Sequence, residues 1–419
     1  MIIEVYAERD GVSAHAGTIE TAPGVGESFV YSEEWLALPD AKPLSMTLPL
    51  RSEPYPAKKM RPYFEGLLPE GGARSAIASR VHVSYAAYVK LLDAVGRECI
   101  GAVSLQGPDA TAEDGYSKAS EELLERLAGQ GYPVSAETSE RVRFSLAGSQ
   151  AKIALYRGPD GEWYEPRGLA PSTHILKPVG KRFPDSAANE YVCTLAAKKL
   201  GIDVPRIELI DAGEPIVCTE RFDRDFPSSI REVDGLPVPA RLHQEDLCQA
   251  TGTVPERKYE EGGVCYLDRV IDLVGSVSTD PISDMRKLWD MVAFSYLIGN
   301  CDAHLKNFAL MRDSTWRELH LSPAYDLVCT ARYDGLSKRL AMSIGGAHTL
   351  GDVRLESFER LAKTMRLPRA WALSRLEELA GAIEQAIEQS LAEAESGGVD
   401  CLELGERTLA VVGENVARL

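Results

Sequence analysis

The stretch Leu297-Ile298-Gly299-Asn300-Cys301-Asp302-Ala303-His304-Leu305-Lys306-Asn307-Phe308 restricts what this chain can fold into more than any other. An apolar run closes at Ile298 and is broken by Gly-Asn, after which an Asp and an Asn stand five positions apart. Two short apolar strands are predicted next, Phe308 to Met311 and Glu318 to Leu321, with the turn-prone Asp313-Ser314 between them. The second runs through Ser322-Pro323-Ala324-Tyr325 to Asp326. This is a layout that phosphoryl transfer requires. Asp302 can face an incoming hydroxyl, Asn307 can hold a metal ion, and Asp326 can hold the metal that bridges nucleotide phosphates. The spacing alone also arises by chance, so the rest of the chain has to support it.

A chain of 419 residues exceeds what one hydrophobic core fills, and two or more core-bearing units are predicted. The formal net charge of −17 argues against a broad phosphate-binding surface, while leaving room for local basic patches. The start, Met1-Ile2-Ile3-Glu4-Val5-Tyr6, lacks the basic and long apolar segments of a signal peptide, and no apolar run is long enough to span a bilayer. Eight cysteines occur without any C-x-x-C, and Cys193, Cys248 and Cys301 sit among apolar neighbours. They read as buried thiols of a reducing compartment, so a cytoplasmic protein with no membrane association is expected.

In chain order, residues 1 to about 105 alternate strand-like pieces (Ile2–Tyr6, Glu27–Tyr31, Gly101–Leu105) with turns and a helix from Tyr85 to Val95. Nothing there carries obvious chemistry, and a packing or partner-contact module is the plain reading. Residues 106 to 140 read as a polar connector with one amphipathic helix, Ser120 to Ala128. Val142 to Tyr156 then reads as strand, small-residue turn, strand. Such a turn lets backbone N–H groups approach phosphate oxygens, although an ordinary hairpin is the plainer reading of this stretch taken alone. The strand Thr173-His174-Ile175-Leu176-Lys177-Pro178 ends in a Lys, and thirteen residues later Glu190 lies early in a helix predicted over Ala187–Leu200. A strand Lys paired with a helix Glu orients the phosphate grip of kinases, though surface charges account for many such pairs. Two strands follow, the second ending near Phe222, and from about 240 the pattern is helical: Gln244–Thr251, Tyr266–Val274, Asp284–Ile298, Leu355–Met365, Ala370–Ala394 and Leu402–Ala417. A strand-rich part followed by a helix-rich part is a two-lobe plan.

Jointly these segments resemble the HipA-type serine/threonine kinases, toxins of bacterial type II toxin–antitoxin pairs. The resemblance runs from Ser145-Leu146-Ala147-Gly148-Ser149-Gln150-Ala151-Lys152 through Thr173–Pro178, Asn189-Glu190-Tyr191, Glu220-Arg221-Phe222-Asp223-Arg224 and Gln244-Glu245-Asp246 to Asp302–Phe308 and Tyr325-Asp326. It extends to the N-terminal part in Leu48-Pro49-Leu50, Leu67-Leu68-Pro69 and Val95-Gly96-Arg97. It implies an α+β, two-lobed, protein-kinase-like fold. An N-terminal subdomain is expected over 1–110, a connector over 111–140, a β-rich N-lobe with the phosphate-binding loop over 141–222 and an all-helical C-lobe over 223–419.

By the same resemblance, ATP and Mg²⁺ are the expected cofactors. Asp302 is the expected base, Asn307 and Asp326 the Mg²⁺ ligands, and Lys177 the phosphate contact, oriented by Glu190. Gly148, Ser149, Gln150 and Lys152 belong to the phosphate-binding loop, and Glu220 and Phe222 to the hinge near the adenine. His304 supports the loop, and Lys306 can offset γ-phosphate charge. Ser145 is the expected autophosphorylation site, with Ser149 as a second hydroxyl where the family commonly has Ala. The implied partners are a small helix-turn-helix antitoxin of HipB type, DNA only through that antitoxin, and a protein substrate such as an aminoacyl-tRNA synthetase. A small-molecule or lipid kinase of similar fold, and a kinase-fold corepressor with dispensable catalysis, are the alternatives.

Overall fold

The N-terminal strand Ile2–Arg9 alternates inward Ile3, Val5 and Ala7 with half-exposed polar neighbours, as a strand with one face on a core must. In this computed structural model, which describes residues 1–22, 24, 26–107, 113–130, 152–180, 183, 185–226 and 231–419, that strand lies in a five-stranded antiparallel sheet. The order is Tyr55–Pro56, Gly26–Tyr31, Val12–Ala22, Ile2–Arg9, Val103–Gln106. Val12–Ala22 was not among the strands predicted from sequence. Its signal was the turn before it: Asp10 and Gly11 both have positive φ (51° and 73°), the two-residue hairpin geometry that Asp-Gly favours. Helices Ala57–Gly66, Gly71–Arg80 and Tyr88–Val95 cover this sheet, and Met60, Phe64, Leu91 and Leu92 share its core with Phe29.

A second antiparallel sheet has six strands, in the order Ile207–Asp211, Pro215–Glu220, His174–Pro178, Ile153–Arg157, Trp163–Arg167, Gly115–Lys118. Its edge strand Gly115–Lys118 comes from the stretch that reads as connector in the sequence. His174–Pro178 is central, flanked by Pro215–Glu220 and Ile153–Arg157. Helix Ser186–Lys199 packs Ala187 against Val179 and Val217 on this sheet.

The remaining core surrounds helices Tyr266–Val277, Pro281–Leu297, Leu355–Thr364, Arg369–Ser396 and Leu402–Val416, with Trp289, Phe294 and Phe358 fully buried. Asp280 caps Pro281–Leu297 by accepting from the Ser283 N–H at 3.2 Å, with Pro281 at the first helical position. The lobe expected to be all-helical also carries four small antiparallel sheets: Arg224–Asp225/Ala240–Arg241, Arg231–Val233/Leu236–Val238, Gln244–Asp246/Ala309–Arg312/Leu319–Leu321 and Arg339–Ile344/Ala347–Thr349. The helix expected over Gln244–Thr251 is therefore shorter. Asp246 accepts from the Gln249 N–H while the Gln249 side chain accepts from the Asp246 N–H, and this capping box starts the helix at Leu247. Among the described residues all eight cysteines are free thiols, seven of them buried, and no helix is long and apolar enough to cross a membrane.

Candidate active site

Lys177 leaves the central strand of the six-stranded sheet buried, and its ammonium lies 2.6 Å from Glu190 Oε1 on the adjacent helix. The same ammonium also donates to Asp326 Oδ1, which arrives from the helical lobe 149 residues away. Burial disfavours each charge here, and the pairing decides the balance. For Lys177, desolvation is outweighed by Asp326 and Glu190, and the ammonium is held above its ordinary range. For Asp326, desolvation is outweighed by Lys177 and Lys152, and the carboxyl is held well below the usual carboxylate range. For Glu190 burial prevails and its carboxyl is pushed up. Asp326 adopts a φ of 54°, a left-handed conformation that Asp tolerates better than most side chains.

The loop that carries Asp302 begins where helix Pro281–Leu297 ends. Gly299 has a φ of 68°, and a Cβ there would stand 2.5 Å from Val411 Cγ1, so both conformation and space require glycine. The loop is then wound around Asp302. Its N–H donates to Asn300 Oδ1 (3.0 Å), and its carbonyl accepts from Asn307 Nδ2 (3.1 Å) and the His304 N–H (2.8 Å). The D-x-x-x-x-N spacing is thus what lets the Asn reach back to the Asp carbonyl. Burial raises the Asp302 carboxyl against the hydrogen bond donated by the Tyr259 hydroxyl at 2.8 Å. Burial pushes His304 down to about 3, helped by the Lys258 ammonium, so the ring is neutral at pH 7. It packs edge-on to Tyr259, 5.2 Å between centroids.

Lys306, which by the resemblance can offset γ-phosphate charge, lines the cleft and also has partners within the protein. Its buried ammonium lies 2.8 Å from Asp246 Oδ2, 3.1 Å from the Gly66 carbonyl and 3.6 Å from Glu70 Oε1. Two of its protons are donated, to Asp246 and to Gly66, and with the Glu70 ion pair they brace the loop against the N-terminal unit.

Every described residue named from the sequence faces one cleft: Lys152, Lys177, Glu190, Glu220, Phe222, Asp302, His304, Lys306, Asn307 and Asp326. Ile100, Ile175, Ile207 and Ala309 supply its apolar wall, and the cleft encloses about 1360 Å³ with its mouth included. Lys152 is lowered to about 8 by burial, with Asp326 opposing and Lys177 adding to the shift. Phe222 lies 5.6 Å from the Tyr325 ring, 30° from parallel. Ser145, Gly148, Ser149 and Gln150 lie outside the described residues. Four residues of the site were not singled out from sequence as acting there: Glu70, Asp246, Lys258 and Tyr259. Glu70 and Asp246 lie in or beside quoted motifs, Leu67-Leu68-Pro69 and Gln244-Glu245-Asp246, but local pattern gives no indication that they meet the catalytic loop.

The segment joining the sheet to the helical lobe is fixed by a buried ionic cluster. Arg221 donates to Glu98 Oε1 (2.8 Å) and Asp223 (2.7 Å), Arg224 and Arg241 also reach Glu98, and the Gly101 N–H donates to Asp223 at 2.6 Å. The N-terminal unit thereby holds both sides of Phe222.

A sheet-borne ammonium bridged to a helix carboxylate and to a carboxylate from a helical lobe, across a cleft with an apolar wall, defines a protein of kinase-like fold. Residues 144–387 match the family model of the HipA-like C-terminal domain, and residues 9–106 match that of the HipA N-terminal domain. The chain belongs to the HipA family. Among its relatives, Y4mE of Sinorhizobium fredii is 35% identical over 92% of this chain and 91% of that protein. The serine/threonine-protein kinase toxin HipA of Shewanella oneidensis is 27% identical over 85% of this chain and 82% of that protein. A chain from the Shewanella oneidensis complex of HipA, HipB and operator DNA shares the fold, with a TM-score of 0.77 over 99% of this chain and 96% of its own length at 24% identity.

Proposed function

We propose that this chain is an ATP-dependent serine/threonine protein kinase acting as the toxin of a toxin–antitoxin pair. The observation that carries the reading is the Lys177 ammonium joined to Glu190 and Asp326 in the cleft that Asp302 and Asn307 also face. Lys177 and Lys152 attract nucleotide phosphates, Glu220 and Phe222 border the adenine, and Asp302 aligns the acceptor hydroxyl and takes its proton. Asn307 and Asp326 offer hard oxygen donors. With one amide and one carboxylate side chain offered by the protein, the donor set fits an ion that would complete its shell with phosphate and water oxygens, as Mg²⁺ does. Mg²⁺ bound there offsets the charge of the transferring group. His304, neutral and packed on Tyr259, supports the loop, and Lys306 braces it.

Ser145, with Ser149 as the second hydroxyl, is the proposed site of self-phosphorylation, where a dianion competes with ATP phosphates for the same loop. A translation component such as an aminoacyl-tRNA synthetase is the proposed substrate class. With a net charge of −17, contact with DNA goes through a small helix-turn-helix antitoxin of HipB type, as the partner in the Shewanella complex suggests.

Intact mass after incubation with Mg-ATP tests this directly. The expected result is a gain of one phosphate on a serine, absent in Asp302→Asn and Asp326→Asn, each losing about 10³-fold or more in transfer. Radiolabelled ATP offered with a cell extract should label protein, whereas a labelled metabolite would point to a small-molecule kinase. Normal turnover in either variant refutes the assignment.

A further inference from the structure

The hydroxyl of Tyr259 occupies a particular place. It donates to Asp302 Oδ1 at 2.8 Å, the geometry an acceptor hydroxyl must adopt to be deprotonated by that carboxylate. Tyr259 is 41% exposed, while the backbone on either side of it is pinned. On one side the Lys258 carbonyl accepts from the Leu305 N–H at 3.4 Å, and its ammonium pairs with Glu70 at 2.8 Å. On the other, the Glu260 N–H donates to the Ala341 carbonyl at 2.9 Å, and the Glu260 carboxylate accepts from the N–H groups of Ser343 and Tyr266, both at 3.0 Å. The ring thus stands partly in solvent on a backbone held at both sides. It stands at a boundary: Lys258 lines the cleft containing Lys177, Tyr259 and Glu260 line a second cleft lined also by Leu336 and Leu340, and Asp302 opens to both.

We propose that Tyr259 is a gate on the acceptor side of the site, its phenol holding the position on Asp302 that the acceptor hydroxyl takes and swinging away when a polypeptide acceptor enters from the second cleft. This rests on the reading of Asp302 as base. The physical reason is that a partly buried carboxylate needs a donor at every stage. The phenol supplies one before the acceptor arrives, and the serine or threonine hydroxyl supplies it afterwards, so the exchange leaves no oxygen unsatisfied. The same arrangement restrains wasteful hydrolysis. Water reaches Asp302 only by displacing the phenol. It then gives its proton to Asp302 while its oxygen forms a bond to the γ-phosphorus and the bond from that phosphorus to ADP breaks, yielding ADP, inorganic phosphate and a proton returned to solvent.

The test uses the full chain with Tyr259→Phe, which keeps the ring and loses the hydroxyl, and Tyr259→Ala. Inorganic phosphate released from Mg-ATP without added protein measures transfer to water, since self-phosphorylation yields ADP but no free phosphate, and dephosphorylated casein serves as an unfolded, serine-bearing acceptor. Losing one competing hydrogen bond should raise acceptor-free phosphate release about three- to tenfold in both variants. The KM for casein should fall by a similar factor and the KM for ATP should change less than about twofold. A residue that merely orients Asp302 gives the opposite result, a lower kcat towards both acceptors with KM unchanged, and that result overturns the proposal, as does phosphate release equal to wild type. Asp302→Asn separates this from the parent reading: activity retained there breaks the parent reading, whereas activity lost there with Tyr259→Phe no faster than wild type breaks the gate alone.

Discussion

Replacing Glu98 by alanine should destabilise the protein more than any exposed ion-pair substitution, and the structure sets the size of the effect. Glu98 is fully buried and accepts from Arg221 (2.8 Å), Arg224 (3.1 Å), Arg241 (2.5 Å), the Ser172 N–H (3.1 Å) and the Ser172 hydroxyl (2.8 Å). Beside it, Asp223 is a second carboxylate in contact with Arg221 and Arg224. Three buried guanidiniums facing two carboxylates become three facing one, and Arg241 is left with the Leu169 carbonyl. Removing one partner from a buried charge cluster costs about 3–5 kcal/mol, because the stranded charges lose their compensation while remaining out of water. Against a typical total of about 5–15 kcal/mol, that is a large share. Glu98→Gln keeps the shape and one acceptor oxygen and should lose roughly half as much. The assay is urea unfolding followed by tryptophan fluorescence. Trp316 lies 5.5 Å from Trp35 and donates to the Glu8 carbonyl, so its emission reports the seam between the N-terminal unit and the helical lobe. Asp334→Ala, which breaks the exposed pair with Arg407, should leave the midpoint unchanged. A loss below about 1 kcal/mol in Glu98→Ala would falsify the argument that this cluster joins the units.

Two further outcomes follow from buried charge. The Asp223 carboxyl is held at about 2: burial would raise it, but Arg221 and Arg224 outweigh that. Because the folded value lies below the ordinary 3.8, the group contributes about 2 kcal/mol that is fully present above about pH 4 and is lost as pH falls through about 2. Urea midpoints measured across that window should fall with acid in the wild type and much less in Asp223→Asn. Lys306→Met should cost about 3 kcal/mol by thermal unfolding, since Asp246 loses its buried cation. Adding Asp246→Asn, which keeps the helix cap, should recover part of that loss, and a double variant no more stable than the single one contradicts the bracing role.

The centre of the site was legible because each part is announced locally. Lys177 ends an apolar strand, Glu190 opens a helix, Asp302 and Asn307 share one short loop, and Asp326 follows a hairpin. Where local signals were weaker, elements were missed or misplaced. Val12–Ala22 is largely polar on its outer face, and only Asp10-Gly11 marked it; Gln244–Asp246 pairs as a strand because Ala309–Arg312 lies beside it, which a helix-like pattern does not reveal.

Motif spacing pointed to Lys177, Glu190, Asp302, Asn307 and Asp326, and the family resemblance added Lys152, Glu220, Phe222, His304 and Lys306, since both signals are carried by neighbours in sequence. Only the tertiary structure decided what holds them. Lys306 is tied to Gly66 across 240 residues, Glu98 to Arg221 across 123, and Tyr259 to Asp302 across 43. Such pairings depend on how separate units pack, and a buried charge finds its partner through burial that no local window of sequence contains.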